Sequence, residues 1–257
     1  MTPETDLLPQ EVTAFCRDAG FGELIASENL QGGVISLVRR LTTTSQHRLI
    51  IKQSVEAPDD LYALEAESLQ VLKAAGLRTP EVFALAGDFL LLEAVGSAVA
   101  AEPDWAAAGR AIAQLHLNTN ARFGYEHDNY LGLLPQINTW TLDGHEFFGR
   151  YRMLRYLSVP LCEATLTAQD RQAIERLVAR LPQLIPVQPA ALLHGDLWHA
   201  NVLFAANGDP VFIDPAVYFG WAEAELSMLR QYAVAPQAFY DAYVEVRPLE
   251  VGWWDRL

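Results

Sequence analysis

The sequence predicts an α+β protein in two parts: a small N-terminal part built on a five-stranded antiparallel sheet, and a mostly helical C-terminal part. Five runs rich in β-branched residues and leucine, separated by turn residues, lie between residues 23 and 96. One helical pattern, at residues 59–76, interrupts them. The later apolar patterns are mostly helical. We therefore predict one part from residues 1–93 and a second from residues 94–257.

The first part begins with a helix over residues 9–19, with Pro9 near its start and Gly20 as its stop. Three strands follow, at residues 23–30, 34–41 and 47–53. The first two are joined at Gly32 and Gly33. This pair predicts either a plain hairpin turn or a backbone that can close over a phosphate group.

The helix at residues 59–76 carries a glutamate within or beside its apolar stripe. At about 100° per residue, Glu65 falls with the apolar positions, whereas Glu67 points away from them. A buried carboxylate is costly unless a cation meets it, and Lys52, at the end of the preceding strand, is the candidate. Kinases use such a pair to hold a lysine against nucleotide phosphates. The alternative is a structural ion pair or an amphipathic edge residue.

Two more strands, within residues 81–96, complete the sheet. Glu93 and the backbone of residues 92–94 lie where a hinge would hydrogen-bond an adenine edge. That placement depends only on order along the chain, so Glu93 could equally be an exposed residue that follows a strand.

The second part contains one segment without clear periodicity, at residues 121–140, rich in aromatic residues and asparagine. Such a segment is usually a functional loop or a packed connection. The helix predicted next, at residues 143–157, carries three arginines: Arg150, Arg152 and Arg155. We expect them on a solvated face, with anion binding as the alternative.

Residues 192–214 carry the strongest chemical signal, a His-x-Asp-x4-Asn spacing followed by an aspartate that ends a short apolar strand. The spacing matches a kinase catalytic loop, which predicts Asp196 as the group that orients the attacking hydroxyl. Asn201 and Asp214 would then be oxygen ligands for Mg²⁺. His194 is predicted to hold the loop by hydrogen bonding.

Three other interpretations of this stretch stay open. It could be a polar loop between buried strands. It could also be a zinc or iron site made of His194, His199 and an aspartate, although that leaves Lys52, Glu65 and Asn201 without roles. Serine-hydrolase chemistry is not favoured because the sequence has no G-x-S-x-G elbow.

Charge and composition limit the partners and the compartment. The formal net charge of −14 argues against nucleic acid or an anionic membrane, since both need clustered Lys and Arg. Two cysteines without a C-x-x-C motif fit a reducing cytoplasm. The N-terminus lacks a signal-peptide pattern, and no apolar stretch approaches the roughly 18 residues of a membrane span. We expect a cytoplasmic protein.

With its surroundings, the sequence HGDLWHAN…VFIDPAVYFG resembles the aminoglycoside phosphotransferase-like kinases. It is most similar to the fructosamine (ketosamine) kinase family through the run F-G-x3-D-N-Y-x-G-x3-Q-x-N within residues 123–138. The Gly-Gly turn, Lys52 and the helix bearing Glu65 extend the resemblance over nearly the whole chain.

The resemblance implies a bilobal protein-kinase-like fold, ATP and Mg²⁺ as cofactors, and phosphorylation of the 3-hydroxyl of a ketosamine. The phosphate ester then breaks down and frees the amine. Asp196 would be the catalytic base, Asn201 and Asp214 the metal ligands, and Lys52 with Glu65 the phosphate pair. The resemblance places three further residues near the substrate: Asn129, Trp198 and His199. Trp198 could stack on a sugar face or be a packed loop aromatic.

The sequence departs from the family pattern at His199-Ala200, where a small residue and glycine are usual, and at Trp221-Ala222-Glu223. The chain also ends at Leu257, before helices that relatives have, which leads us to expect a short C-terminal end and a possible homo-oligomer. The alternatives to a ketosamine kinase are a kinase for an aminoglycoside, choline or homoserine, and a nucleotide-binding protein without turnover.

Overall fold

The computed structural model describes residues 8–30, 36–54, 56–96, 101–231 and 235–257. Gly32 and Gly33, for which a hairpin turn or a phosphate loop is predicted, lie outside the described residues.

The N-terminal lobe contains the predicted five-stranded sheet, which is therefore confirmed. Its strands are antiparallel and lie in the order β1-β2-β3-β5-β4. The elements in chain order are α1 (Gln10–Asp18), β1 (Leu24–Asn29), β2 (Leu37–Thr43), β3 (Arg48–Gln53), α2 (Leu61–Ala74), β4 (Val82–Ala86) and β5 (Phe89–Glu93).

Strand β5 is buried on both faces because a helix lies against each side of the sheet. Phe89 and Leu91 belong to the apolar cluster that includes α1, and Leu90 and Leu92 belong to the cluster that includes α2. Successive side chains of a strand point to opposite faces, so a strand covered on both sides has a continuous apolar run. Lys52 of β3 pairs in register with Leu90, which places its side chain on the face covered by α2.

The C-terminal lobe is mainly helical, with short strands that support its loops. Its main helices are α3 (Trp105–Leu115), α4 (Gly144–Phe147), α5 (Pro160–Thr165), α6 (Ala168–Leu184), α7 (Ala222–Gln231), α8 (Gln237–Val246) and α9 (Trp253–Arg256). Its strands are β6 (Thr119–Asn120), β7 (Asn129–Leu131), β8 (Leu134–Gln136), β9 (Ala190–Leu193), β10 (Val202–Phe204), β11 (Pro210–Phe212) and β12 (Tyr218–Gly220).

Helices α3 and α8 pack closely at the centre of this lobe. A Cβ atom on Gly109 of α3 would lie 2.1 Å from the carbonyl oxygen of Phe239, so the contact requires glycine. The surrounding core also includes Leu72 and Leu77, at and just beyond the end of α2, so it is continuous between the two lobes. No helix among the described ranges is long and apolar enough to span a membrane.

Two segments of the second lobe differ from the sequence prediction. Part of the aperiodic segment forms the β7–β8 hairpin. The helix predicted at residues 143–157 is broken into α4, a π-helical turn at Phe148–Met153 and a 3₁₀ turn at Leu154–Ser158. The side chain of Arg152, in the π-helical turn, donates to the Ile137 carbonyl at 2.7 Å. Its predicted solvated position was therefore wrong. Placing the boundary between the two parts at residue 93 remains a prediction.

Candidate active site

Strand β9 leads directly into the polar loop at residues 194–201. The strand is buried along its whole length, between β12 and β6. At Gly195 the backbone has a φ of +88°, and a Cβ there would lie 1.9 Å from the carbonyl oxygen of Ala216. Glycine is therefore required where the loop passes the backbone at Ala216. The loop ends in a 3₁₀ turn at His199–Asn201.

Asp196 and Asn201 are hydrogen-bonded across this loop. Asn201 Nδ2 donates to the Asp196 carbonyl oxygen at 2.8 Å and to its carboxylate Oδ2 at 3.0 Å. Burial raises the pKa of Asp196 to about 6; the Asn201 bond opposes this rise and the charge of Asp214 adds to it. Because Nδ2 is directed at Asp196, the side-chain oxygen of Asn201 is left as the atom that can ligate a metal ion.

Lys52 pairs with two carboxylates, one in each lobe. Its Nζ lies 2.5 Å from Glu65 Oε1 on α2 and 2.6 Å from Asp214 Oδ1 in the C-terminal lobe. Burial by itself lowers the pKa of Lys52, but the charges of Asp214 and Glu65 outweigh it and raise the pKa above its ordinary value. The ammonium group is therefore charged at neutral pH.

Asp214 has a backbone conformation that is rare for a non-glycine residue, with a φ of +57°. The chain on each side of it is held by main-chain hydrogen bonds. Ile213 N donates to Asn201 O at 3.0 Å, and Ala216 N donates to His194 O at 2.9 Å. These bonds hold Asp214 beside the loop, and its side chain is 42% exposed.

A buried carboxylate from α7, Glu225, fixes the backbone at the start of the loop. It accepts hydrogen bonds from His194 N at 3.0 Å and from Gly195 N at 2.7 Å. His116 Nε2 lies 2.9 Å from it, and His116 Nδ1 lies 2.7 Å from the Tyr243 hydroxyl. Burial lowers the pKa of His116, so the neutral ring donates from Nε2 to Glu225 and accepts from Tyr243 at Nδ1. Sequence reasoning did not assign Glu225 a role.

A cavity of about 210 Å³ lies between the lobes and is lined by most of these groups. Among the described residues of its lining, the charged side chains are one lysine and three carboxylates: Lys52, Glu65, Asp196 and Asp214. With all four ionised, this described lining carries a formal charge of −2. A phosphate-bearing ligand needs additional positive charge in such a cavity.

Comparison with known proteins identifies the family. The fructosamine kinase family model matches residues 16–257. The chain belongs to the fructosamine kinase family. It is 34% identical over 235 residues to a probable ketoamine kinase of Enterococcus faecium, covering 88% of this chain and 82% of that protein. The resemblance inferred from the sequence motifs is thereby confirmed.

Two further family members extend the comparison. The crystal structure of a putative fructosamine-3-kinase from Thermobifida fusca superposes with a TM-score of 0.83 and 31% identity, covering 97% of this chain and 88% of that one. A chloroplastic protein-ribulosamine 3-kinase of Arabidopsis thaliana is 37% identical over 152 residues, which are 58% of this chain and 46% of that protein. The predicted bilobal fold is confirmed.

The structure brings most of the predicted site residues of this family member together. The cavity lining includes the four charged residues together with Asn129, Trp198 and Asn201. His199 lies in the adjoining 3₁₀ turn, with its ring edge-on to Trp198 at a centroid distance of 5.0 Å. His194 is fully buried, and its Nδ1 accepts a hydrogen bond from Asp196 N at 3.3 Å.

Glu93 is the last residue of β5, and it is not among the described residues that line the cavity. Its Oε1 accepts from Arg78 at 2.5 Å, and its Oε2 accepts from Glu81 N at 3.2 Å. Its own N–H donates to Glu81 O within the sheet. The adenine-binding role of Glu93 and of the backbone at residues 92–94 stays a prediction.

Asn129 reaches the cavity, but its side chain is used within the protein. Its Nδ2 donates to Val217 O at 2.9 Å, and its Oδ1 accepts from Gln136 at 2.8 Å and from Asn138 at 3.1 Å. Arg152 donates to Asn138 Oδ1 at 2.6 Å and extends this buried network. The F-G-x3-D-N-Y-x-G-x3-Q-x-N run therefore contributes three amides to a structural network. The placement of Asn129 near substrate stays a prediction.

The zinc or iron interpretation finds no support. Within the described parts of the chain, no three His, Cys, Asp or Glu side chains come together in a way that could hold a metal ion. His194 has a lowered pKa because it is buried, and its Nδ1 is directed at the backbone of the loop. The carboxylate and amide oxygens of Asp214 and Asn201 are instead the ligand types that suit Mg²⁺.

Proposed function

We propose that this chain is an ATP-dependent kinase that phosphorylates the 3-hydroxyl group of ketosamines, such as fructosamine and ribulosamine adducts of amines. The 3-phosphate is unstable and breaks down, which frees the amine. Glycated proteins and glycated small amines would lose their sugar by this route.

One observation carries the proposal: Lys52, held by Glu65 and Asp214, lines the same cavity as the hydrogen-bonded pair Asp196 and Asn201. Phosphoryl transfer needs a cation for the phosphates that do not react, oxygen ligands for metal ions, and a group that orients the hydroxyl. In this cavity Lys52 would be the cation, Asp214 and Asn201 would be the oxygen ligands, and Asp196 would orient the hydroxyl. Nothing else in the described lining offers a nucleophile with an adjacent base.

Asp196 is the proposed base. Its carboxylate accepts the proton of the 3-hydroxyl as that oxygen bonds to the γ-phosphorus, while the bond to the β,γ-bridging oxygen breaks and ADP leaves. The hydrogen bond from Asn201 fixes the orientation of the carboxylate. The charged ammonium of Lys52 would hold the α- and β-phosphates.

The residues present fit Mg²⁺ as the cation that the cavity requires. Mg²⁺ commonly uses one or two carboxylates and completes its shell with substrate phosphates and water. Asp214 offers a carboxylate oxygen and Asn201 offers its side-chain oxygen, and the formal charge of −2 in the lining matches a dication. When bound, Mg²⁺ would neutralise charge on the transferring phosphoryl group.

The acceptor is proposed from the relatives. The two relatives compared above are a probable ketoamine kinase and a protein-ribulosamine 3-kinase. Trp198 lines the cavity beside Asp196, and its indole ring would stack on the sugar face. His199, packed edge-on against Trp198, would support that ring.

The test is a panel of acceptors in an assay of ADP formation. Ribulose- and fructose-modified amines are compared with aminoglycosides, choline and homoserine at equal concentrations, with ATP and Mg²⁺. We expect turnover on the ketosamines. Turnover only on another group would replace the proposed acceptor, and no turnover on any compound would favour a nucleotide-binding protein without activity.

Three other expectations remain predictions. These are the cytoplasmic location, the absence of nucleic-acid and membrane partners, and a homo-oligomer. Size-exclusion chromatography with light scattering would measure the oligomeric state directly.

A further inference from the structure

Helix α2 is held from outside the N-terminal lobe by the segment at residues 122–138, which we call the 122–138 segment. Glu67 of α2 lies 2.9 and 3.0 Å, through its two carboxylate oxygens, from His127 Nε2. The Tyr125 hydroxyl donates to Glu67 Oε1 at 3.3 Å. At the N-terminus of the helix, the Tyr130 hydroxyl donates to Asp60 Oδ1 at 3.0 Å.

These contacts are made two residues from Glu65, the partner of Lys52. At about 100° per residue, two helical positions differ by roughly 200°, so Glu65 and Glu67 point to opposite sides of α2. One carboxylate engages β3 and the other engages the C-terminal lobe. A rotation or shift of α2 would break both contacts together.

The 122–138 segment is in turn fixed to the chain that follows Asp214. Asn129 Nδ2 donates to Val217 O at 2.9 Å, and Gln136 Nε2 donates to Ala216 O at 3.2 Å. The same segment therefore contacts α2, which carries Glu65, and the backbone two and three residues beyond Asp214. It is thus hydrogen-bonded close to both carboxylates that hold Lys52.

We propose that Glu67 is a positioning residue: held by Tyr125 and His127, it keeps α2 where Glu65 can hold Lys52 in place. This inference rests on the proposed function through the role of Lys52. It gives the 122–138 segment a part in assembling the nucleotide side of the site, through Tyr125 and His127, in addition to any contact with the acceptor.

The first test needs neither ATP nor an acceptor. Amide hydrogen exchange of residues 61–74 is measured in the free protein for wild type, Glu67→Ala and His127→Ala. The matched control is Glu81→Ala, which removes the ion pair of Lys73, on the same helix, but leaves the contact between the lobes intact. We expect faster exchange in α2 for Glu67→Ala and His127→Ala and wild-type exchange for the control. Unchanged exchange in Glu67→Ala would overturn the proposal.

The second test separates positioning from general stability. The side chains of Glu67 and His127 are 44% and 38% exposed, and an exposed pair of this kind contributes little. Loss of alignment at Lys52 should therefore lower kcat/KM for ATP by roughly 2- to 5-fold, with the KM of the acceptor unchanged. Because Glu67 acts through Glu65, the double variant Glu65→Gln/Glu67→Ala should lose no more than Glu65→Gln alone. Additive losses would contradict the proposal. The milder variant Tyr125→Phe repeats the measurement if Glu67→Ala folds poorly.

The two proposals can fail separately. If wild type phosphorylates no ketosamine, the proposed function fails, while the exchange experiment still tests the role of Glu67. If wild type is active and Glu67→Ala alters neither α2 exchange nor kcat/KM for ATP, the proposed function stands and the positioning role is wrong.

Discussion

The loop at residues 194–201 and the 122–138 segment are both rich in polar side chains, yet they use those side chains differently. In the loop, Asp196 and Asn201 bond to each other at one edge and face a common cavity. In the 122–138 segment, the amides of Asn129, Gln136 and Asn138 are directed at one another and at backbone carbonyls. Polar residues in a family motif can therefore be catalytic or structural. The atoms to which they hydrogen-bond distinguish the two roles.

The largest expected effect comes from the loop. Asp196→Asn removes the proposed base while keeping the size of the side chain, so kcat should fall by roughly 10²- to 10⁴-fold. ATP binding should persist because Lys52 and its two partners are unchanged. Steady-state kinetics and calorimetric titration with ATP measure the two effects. An unchanged kcat would remove Asp196 from the mechanism.

The matching change in the 122–138 segment should act on stability. Asn129→Ala leaves the Val217 carbonyl without its buried donor, and such a group costs about 1–3 kcal/mol. The amides of Gln136 and Asn138 lose one acceptor each but keep the Ala216 and His127 carbonyls. Urea unfolding should show a lower free energy of unfolding. If the variant is as stable as wild type but has a higher KM for the acceptor, Asn129 lies at the substrate, as the sequence predicted.

Trp198 tests whether the loop also binds the sugar. Removing a stacked ring in Trp198→Ala should raise the KM of the acceptor by roughly 3- to 10-fold, with little change in the KM of ATP. A matched variant, Trp140→Ala, removes a tryptophan that contacts Arg122 and Phe219 and is not part of the described lining of the cavity. Equal effects of the two variants on acceptor KM would contradict the stacking role.

The smallest expected effect is the pH dependence of the contact between His127 and Glu67. Burial lowers the pKa of His127, but the hydrogen bond and charge of Glu67, with Glu126 and the Asp128 carbonyl, raise it above 6.5. The folded state therefore binds the proton more tightly than the unfolded state. The stabilisation is complete below pH 6.5 and is lost as the pH rises through the raised pKa.

The corresponding measurement compares thermal unfolding of wild type and His127→Gln from pH 5.5 to 8.5. The difference in melting temperature should be largest at the acidic end and should shrink as the pH rises. A difference that grows with pH would mean that the imidazolium form does not make the contact.

Local sequence patterns predicted much of the fold and many of the residues that line the site. The strand containing Lys52 and the helix containing Glu65 are set by apolar periodicity, and the His-x-Asp-x4-Asn spacing places its polar groups at the end of a buried strand. These signals lie within short windows. They were therefore readable without knowing how distant segments pack.

The remaining features depend on contacts between distant segments. Glu67 looked like a solvated helix residue because only its angle on α2 could be predicted, and its partners lie about 60 positions later in the chain. The role of Glu225 was likewise not predicted, because it depends on contacts with His194 and Gly195, which lie about 30 positions earlier in the chain. At about 100° per residue, Glu225 falls on the same face of α7 as Ala222, Leu226 and Leu229, and a carboxylate among apolar positions is the signal that could have identified it.

The central claim is that the loop at residues 194–201, together with Asp214, catalyses transfer of the γ-phosphoryl group of ATP to the 3-hydroxyl of a ketosamine. Phosphorus NMR during turnover of a ribulose-modified amine tests it most directly, with Asp196→Asn as the comparison. We predict a product signal coupled to the hydrogen on carbon 3, which then decays as free amine appears, and no such signal with the variant. A phosphate ester on another hydroxyl, or equal product formation by Asp196→Asn, would contradict the account.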